Sequence, residues 1–242
     1  MEVRRIGLAD LSSVRDFADG LISDGRPLDL WVNNAGVMTP PRRIETVDGV
    51  ELQMGSNHLR PFALTVRLLP LLLVAPVPRV ATMSSVMASI GRINFDDLQW
   101  ERGYRPPAAY AQSKLADLML TRRLAGIAAE RGWPLLSTGA HPGTTRTNLS
   151  VTGPRLGGKP NLLTRVAVRI TPSQGVEQGA EPLLYAATSP DAVAGGYYGP
   201  RWSMVGPTEA ASPPRRALDA AVAARLWAVS ERLTGVSLSA QV

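Results

Sequence analysis

The 242-residue chain is 45% hydrophobic, carries two lysines and 24 arginines, and has a formal charge of +6. Its length suffices for one sizeable hydrophobic core, which predicts a single domain over residues 1–242. The absence of cysteine excludes disulfides, thiolate-held zinc, iron–sulfur clusters and a cysteine nucleophile. The two histidines, His58 and His141, lie too far apart in sequence for a usual metal-ligand spacing, so no metal site is expected.

The arginines are scattered, with no run of five or six basic residues, which is typical of a solvated basic surface rather than a nucleic-acid site. The N-terminus lacks the apolar core of a signal peptide. The longest apolar stretch, Leu68 to Ala75, contains Pro70 and is too short to span a membrane. We therefore expect a cytoplasmic protein with neither a transmembrane segment nor a nucleic-acid partner. Attachment to a membrane surface and homo-oligomerisation both stay open.

Three strands and two helices are predicted in the first half of the chain from hydrophobic patterning and turn residues. They are a strand over 2–6, a helix from an N-cap at Ser12 or Ser13 to about Asp24, a strand over 28–32 closing on Asn33-Asn34-Ala35-Gly36, a helix over 48–73 bent near Pro61, and a buried strand over 78–84.

The second half begins with an irregular loop over 91–107, followed by a helix over 107–131 that Gly132 ends. A strand over 135–140 precedes a segment rich in Gly, Pro and Thr over 142–160, the composition of a flap beside a site. The remaining elements are helices over 174–188 and 214–234, with a short strand near Tyr197 between them. Strands that alternate with helices predict an α/β fold with a doubly wound parallel sheet, covered by helices on both faces.

The segment Tyr110-Ala-Gln-Ser-Lys114 gives the clearest chemical signal. With so few tyrosines and lysines, chance predicts only about 0.04 Tyr-x-x-x-Lys matches. In a helix, a spacing of four places both side chains on one face, so that an ammonium lies beside a phenol. A neighbouring positive charge favours the phenolate form, which suits a tyrosine that exchanges protons with a substrate.

Seven short motifs occur in a specific order along the chain. They are Asp10-Leu11, Asn33-Asn34-Ala35-Gly36, Asn57-His58-Leu59, Ser84-Ser85, Tyr110-x-x-x-Lys114, Pro142-Gly143 with Thr147, and Arg225-Leu226-Trp227. In this order and spacing the chain resembles the short-chain dehydrogenase/reductase family, and within it the branch of retinol dehydrogenases and the WW-domain oxidoreductase. The resemblance covers essentially the whole chain and implies a Rossmann-like fold.

The resemblance implies four catalytic residues for an NAD(P)-dependent oxidoreductase acting on an alcohol or carbonyl substrate. Tyr110 would be the general acid or base, and Lys114 would support it while binding the nicotinamide ribose. Ser85, preferred over Ser84, would hold the substrate oxygen. Asn57 would order a water that links Lys114 to solvent. Each has a structural alternative, such as turn formation for the serines or a helix bend for Asn57.

The resemblance also implies a cofactor site for NAD or NADP, between which the sequence does not discriminate. Asp10 would bind adenine with help from the Leu11 backbone, although an N-cap role for Asp10 is the alternative. The small residues after the second strand would approach a ribose. The implied cofactor-binding residues are Asp10, Leu11, Asn34, Ala35, Gly36, Tyr110, Lys114, Pro142, Gly143, Thr145 and Thr147.

One part of the family pattern is missing: the first strand, a turn of the type Thr-Gly-x-x-x-Gly-x-Gly, its helix, and the second strand. That turn holds a pyrophosphate on backbone N–H groups, so the chain as written should bind a dinucleotide poorly. Residues 1–6 resemble the family's third strand. We expect either a start assigned too late, with a working protein about 60 residues longer, or a degenerate relative. The first is favoured because decay would rarely spare all four catalytic residues together.

The substrate pocket is expected between the loop over 91–107 and a flap over 144–165. Trp100, Leu149 and Leu162 in these segments suggest a lipophilic substrate. The alternative function is a catalytically inactive dehydrogenase-fold protein, or a truncated gene product, that acts only by binding a partner.

Overall fold

The computed structural model describes residues 2–145 and 172–240. Its sheet contains five strands in the spatial order β1-β2-β3-β4-β5. The first four strands run parallel, and β5 pairs antiparallel with β4. The strands are β1 (Leu30–Asn33), β2 (Arg79–Met83), β3 (Leu136–Ala140), β4 (Tyr197–Pro200) and β5 (Thr208–Ala210). The predicted α/β class with a mainly parallel sheet is confirmed.

Six α-helices connect and cover these strands within the described residues. They are α1 (Leu11–Asp24), α2 (Leu52–Met54), α3 (Arg60–Leu73), α4 (Pro106–Arg131), α5 (Val176–Thr188) and α6 (Ala220–Thr234). A π-helical turn, Gly55–Leu59, joins α2 to α3, and short 3₁₀ turns occupy Val86–Ile90, Arg215–Leu218 and Leu238–Ala240.

Two neighbouring residues of β3 show that helices cover both faces of the sheet. Successive side chains of a strand point to opposite faces. The Ser137 hydroxyl donates to the Thr121 carbonyl on α4 at 2.9 Å, whereas the Thr138 hydroxyl donates to the Ala186 carbonyl on α5 at 2.8 Å. Helices α4 and α5 therefore lie on opposite faces, as a doubly wound sheet requires.

The largest hydrophobic cluster lies on the α4 side of the sheet and joins α1, α3, α4 and α6 to β2. Phe62 on α3 and Trp227 on α6 meet edge to face, with ring centroids 4.9 Å apart. Burying an aliphatic or aromatic side chain of this size contributes about 1.5–3 kcal/mol. The cluster thus fixes α4 against the sheet, and α4 carries the predicted catalytic pair.

Helix α4 begins and ends where local sequence signals predict. Pro106 and Pro107 occupy its first turn, where proline loses no intrahelical hydrogen bond. Gly132 ends it in the left-handed region at φ 65°, which a residue without Cβ adopts without strain. The resulting 26-residue helix crosses the sheet and is buried along most of its length.

The predicted strand over 2–6 is wrong, because these residues form no strand in the structure. A strand requires a neighbour to pair its N–H and C=O groups. Among the described residues, β1 pairs only with β2, and no strand lies beside residues 2–6. The predicted N-cap at Ser12 or Ser13 is also wrong, because Asp10 caps α1.

Two predicted helices differ at their starts, and one strand was missed. The helix expected over 48–73 begins at Leu52, and its irregularity is the π-turn over Gly55–Leu59 rather than a bend at Pro61. The helix expected from 214 begins at Ala220, after a 3₁₀ turn. Strand β5 has only three residues, too few to show an alternating pattern.

Candidate active site

The carboxyl ends of three neighbouring strands bring the predicted motifs together. Asn34 follows β1, Ser84 follows β2, and His141 follows β3. In open parallel sheets, ligands bind in the crevice outside these ends. The four candidate catalytic side chains are all nearly inaccessible in this region, with exposed fractions of 2% for Asn57, 4% for Lys114, 5% for Tyr110 and 8% for Ser85.

The Lys114 ammonium is held by two acceptors at the end of β2. It donates to the Met83 carbonyl at 2.9 Å and to Asp117 Oδ2 at 2.8 Å. Burial alone would lower the pKa of Lys114, but the Asp117 carboxylate and the neighbouring Tyr110 outweigh burial and raise it. Lys114 is therefore charged at neutral pH.

Asn57 lies in the π-turn and joins two segments of the site. Its side-chain oxygen accepts from the Val37 N–H at 2.7 Å, and its amide donates to the Val37 carbonyl and to Ser113 Oγ, both at 2.9 Å. A π-turn inserts one residue into the helix and often marks a functional site. Here it places Asn57 between the segment after β1 and the catalytic helix.

The two serines after β2 have different partners. Ser84 Oγ donates to the Lys114 carbonyl at 2.7 Å and so fixes α4 to the end of β2. Ser85 Oγ accepts from the Met87 N–H at 3.2 Å as the cap of a 3₁₀ turn. A serine hydroxyl that accepts still has its own proton to donate. This geometry supports the choice of Ser85 for binding a substrate oxygen.

A cavity of about 350 Å³ lies beside the 3₁₀ turn that Ser85 caps, and Val86 and Ser89 of that turn line it. Tyr197 and His141 line it, with ring centroids 5.1 Å apart. The Tyr197 hydroxyl approaches the Ser85 carbonyl at 3.4 Å. Burial raises the pKa of Tyr197 and lowers that of His141 to about 4, so both rings are neutral at pH 7. The cavity therefore combines these neutral hydrogen-bonding rings with the charged side chains of Arg201 and Glu209.

The residues after β1 pack closely against the site. A Cβ added at Gly36 would lie 3.0 Å from Asn57 Oδ1 and 3.7 Å from Lys114 Nζ. Glycine therefore lets the backbone after β1 approach the Asn57 side chain closely, beside the lysine. Asn33 has a structural role, because its amide donates to Thr65 Oγ1 at 3.0 Å and accepts from the Trp31 indole at 2.8 Å.

The predicted adenine-binding pair lies at the N-terminus of α1. Asp10 accepts from the backbone N–H groups of Ser12 and Ser13, and these bonds, led by the Ser12 hydroxyl, hold the pKa of Asp10 below its usual value. The Leu11 N–H donates to Asp48 Oδ2 at 3.0 Å. Asp10 is thus the helix cap that was considered as its alternative role, and only the carbonyl of Leu11 is left for the predicted backbone contact.

The Pro142-Gly143 turn lies next to the site and packs tightly against neighbouring backbone. Gly143 has φ 61°, and a Cβ there would lie 2.3 Å from the Met204 carbonyl oxygen. The Pro142 carbonyl accepts from Thr145 Oγ1 at 2.8 Å and from the Gln174 amide at 3.0 Å. Thr147, Leu149, Leu162 and most of the predicted flap lie outside the described residues.

Sequence and structure comparisons agree on the family. Retinol dehydrogenase 14 of Mus musculus is 37% identical over 238 residues, covering 97% of this chain and 67% of that protein. The chain belongs to the short-chain dehydrogenase/reductase family. Polyprenol dehydrogenase of Mus musculus is 39% identical over 238 residues, covering 95% of this chain and 67% of its own length. No family model matches the sequence.

A solved structure supports the same assignment. A protein from Mycobacterium Paratuberculosis is 42% identical, superposes with a TM-score of 0.80, and covers 98% of this chain and 76% of its own. The chain is therefore an oxidoreductase of an NAD(P)-dependent family, as the resemblance implied. In the described part of the chain, no group of His, Asp or Glu could hold a metal ion. None of the described helices is long and apolar enough to cross a membrane.

Two residues of this dehydrogenase site were missed at the sequence level. Asp117 follows Lys114 by three residues, a spacing that places both on one helix face and could have revealed the pair. Tyr197 contacts the Ser85 backbone only through the pairing of β3 with β4. That contact is tertiary, and no local pattern in the sequence indicates it.

Proposed function

We propose that the protein transfers a hydride between NAD or NADP and the carbon of an alcohol or carbonyl substrate. The observation that carries this proposal is the burial of Tyr110 and Lys114 at the carboxyl edge of the sheet, with Ser85 and Asn57 on neighbouring segments. Proton transfer by a positioned side chain requires this kind of proximity. The buried setting strengthens each electrostatic interaction among these groups.

In this proposal Tyr110 donates a proton to the carbonyl oxygen during reduction and removes one from the alcohol during oxidation. The nicotinamide, when bound, supplies or accepts the hydride. The Ser85 hydroxyl donates to the same substrate oxygen and holds it beside the phenol. Lys114 stabilises negative charge on the Tyr110 oxygen, because its ammonium stays protonated in the folded protein.

Lys114 and the segment over 34–36 would hold the nicotinamide ribose. Gly36 lets this backbone pack against Asn57, and Asn57 keeps the backbone at Val37 in place through its two hydrogen bonds. Asn34, Ala35, Pro142, Gly143, Thr145 and Thr147 complete the proposed contacts. Asp10 would reach the adenine while also capping α1. The choice between NAD and NADP stays open.

The proposed substrate is a small lipophilic alcohol or carbonyl compound. Two relatives are named for retinol and polyprenol, both apolar alcohols. The cavity next to the turn that Ser85 caps has apolar walls at Val86, Pro200 and Pro214, and Arg201 and Glu209 add charged groups to its lining. A cytoplasmic location and a homo-oligomeric state stay predictions.

The test is cofactor binding by the purified full chain, followed by activity with a panel of alcohols and aldehydes. We expect the nicotinamide fluorescence of NADH or NADPH to change on binding at high cofactor concentration, because the chain as written is expected to bind a dinucleotide poorly. Tyr110→Phe should leave that binding intact and reduce turnover at least about 100-fold, since only the phenolic proton is lost. Binding without turnover by any panel member, unaffected by Tyr110→Phe, would favour the inactive dehydrogenase-fold alternative. No binding of either cofactor would refute the oxidoreductase proposal for this chain.

A further inference from the structure

A buried chain of polar side chains lies behind Lys114, on the side away from the crevice. Asp117 binds the ammonium through Oδ2, and its other oxygen, Oδ1, lies 3.7 Å from His58 Nδ1. His58 Nε2 is 3.0 Å from Ser230 Oγ on α6. All four residues are at most 4% exposed. This row of polar side chains thus extends from the catalytic helix α4 through the π-turn to α6.

A buried carboxylate is costly unless it is paired and hydrogen-bonded. Asp117 is fully buried, and among residues 2–145 and 172–240 its Oδ1 has no hydrogen-bond partner. His58 Nδ1 faces it and is equally without a partner in that part of the chain. Asp117 is therefore held mainly by Lys114, and the two charges depend on each other.

The donors of Lys114 can be counted. A lysine ammonium has three N–H donors. The Met83 carbonyl and Asp117 Oδ2 accept two of them, at 2.9 and 2.8 Å. No acceptor among the described residues takes the third. The ammonium thus has a fixed orientation before any ligand arrives.

The geometry points to Asp117 as a positioning residue for Lys114: through Oδ2, its carboxylate fixes the place and the charge of the ammonium that serves the crevice. This inference rests on the proposed function for its catalytic consequence. The coupling of Asp117 to Lys114 itself is a property of the folded protein and does not depend on that function.

Other charged and titratable groups near this pair are few. Tyr110 faces Lys114 from the same helix, one turn before it. Arg123, also on α4, lines a small cavity with His58 and Ser230 and is paired with Glu130 at 3.0 Å. Of these groups, only Asp117 carries a negative charge within hydrogen-bond reach of Lys114. Replacing Asp117 should therefore change the pKa of Lys114 more than replacing any of the other groups would.

The direct test uses the scarcity of lysine in this chain. With ¹⁵N-lysine labelling, only Lys114 and Lys159 give side-chain signals, and Lys159→Arg assigns them. In the wild-type chain the Lys114 ammonium should titrate above 10.5, because Asp117 raises its pKa. In Asp117→Asn the midpoint should fall by about one unit or more, since burial is then less opposed. Glu130→Gln, which removes an exposed carboxylate from the same helix, should leave the midpoint unchanged.

The pH dependence of turnover gives a second reading. Activity that needs a charged Lys114 should be lost at a lower pH in Asp117→Asn than in the wild type, whereas Glu130→Gln should follow the wild type. A purely structural role for Asp117 would lower stability without moving this alkaline limb. An unchanged Lys114 midpoint in a folded Asp117→Asn protein would overturn the inference.

If Asp117→Asn does not fold, the titration of Lys114 in the wild-type protein still tests the inference. A Lys114 midpoint below 10.5 would mean that burial prevails and that Asp117 does not hold the charge. Failure of the proposed function looks different, because absent nicotinamide binding leaves the lysine titration untouched.

Discussion

Two cationic side chains are buried in the described part of the chain, and their surroundings differ. Lys114 and Arg60 are each inaccessible, and each binds an aspartate, at 2.8 Å to Asp117 and at 2.6 Å to Asp48. At Lys114, neighbouring negative groups outweigh burial and raise the pKa. At Arg60, burial outweighs Asp48 and lowers the pKa. The protein therefore stabilises charge at Lys114, whereas it only tolerates charge at Arg60.

The position of each cation in the fold explains this difference. The Lys114 ammonium lies at the carboxyl end of β2, beside Gly36 and near Tyr110. Arg60 begins α3 and binds Thr46 and Asp48, so it fixes the segment before α2. Two of its nitrogens, Nε and Nη1, have no hydrogen-bond partner within the described residues. A buried charge alone is thus a weak marker of function, and its place at the sheet edge is what distinguishes Lys114.

Replacing each cation by methionine should separate catalysis from stability. We expect Lys114→Met to lower turnover by roughly 10²–10⁴-fold, because the Tyr110 oxygen loses its supporting charge. Arg60→Met should retain most of the turnover per folded molecule. Steady-state kinetics on both variants, normalised to folded protein by circular dichroism, provides the measurement. Equal losses in turnover would contradict the assignment of only one cation to the active site.

The Arg60 pair should reveal itself through stability. Asp48→Ala leaves a buried guanidinium without its carboxylate and should cost roughly 3–5 kcal/mol in the free energy of unfolding. Arg60→Met removes the buried charge itself and should cost less, because Asp48 is partly exposed. Urea unfolding of both variants tests this order. The reverse order would mean that the buried charge at Arg60 is not the costly element.

His141 is a buried titratable group that, unlike Lys114 and Arg60, is uncharged at neutral pH. Burial lowers its pKa to about 4, well below the 6.5 of an unfolded histidine. The unfolded chain therefore binds a proton first as the pH falls, so the stability that His141 contributes is complete above 6.5 and is lost between 6.5 and 4. The loss should reach up to roughly 3 kcal/mol, from 1.36 kcal/mol per pKa unit.

This pH dependence is measured by urea unfolding at pH 7.5 and pH 5 in the wild type and in His141→Gln. The difference between the two pH values should be smaller in the variant, which cannot gain that proton. Since His58 is the only other histidine, it is the matched control: His58→Gln should keep the His141 contribution. An equal pH dependence in the wild type and His141→Gln would show that His141 is not held neutral.

Sequence signals located the elements that depend on local chemistry. Helix α4 was predicted within one residue at its start, because Pro106, Pro107 and Gly132 act on their own backbone. The strand over 2–6 was wrong because a strand depends on a partner, which sequence patterning does not supply. The three-residue strand β5 and the π-turn were missed for the same reason: both are set by tertiary packing rather than by local pattern.

In the candidate site, too, local sequence indicated some residues, whereas contacts set by tertiary packing were not predicted. The family motifs indicated Tyr110, Lys114, Ser85 and Asn57, and the structure places all four at one end of the sheet. The motifs gave no indication of how Lys114 is held, because Asp117 lies outside them. The contribution of the structure is therefore the support behind the motif residues rather than the motif residues themselves.

Substitutions of Asp10 should have the smallest effect, and they can separate the two roles of this residue. It caps α1 through the Ser12 and Ser13 N–H groups, and it is also the residue proposed to bind adenine. Asp10→Ala should lower the free energy of unfolding by about 1 kcal/mol, whereas Asp10→Ser should restore most of that loss, because serine is also a good N-cap. If the carboxylate binds adenine, Asp10→Ser should still raise the KM for the dinucleotide while stability stays near that of the wild type. If Asp10→Ser restores both stability and KM, Asp10 acts only as a cap, and the adenine contact must come from another residue.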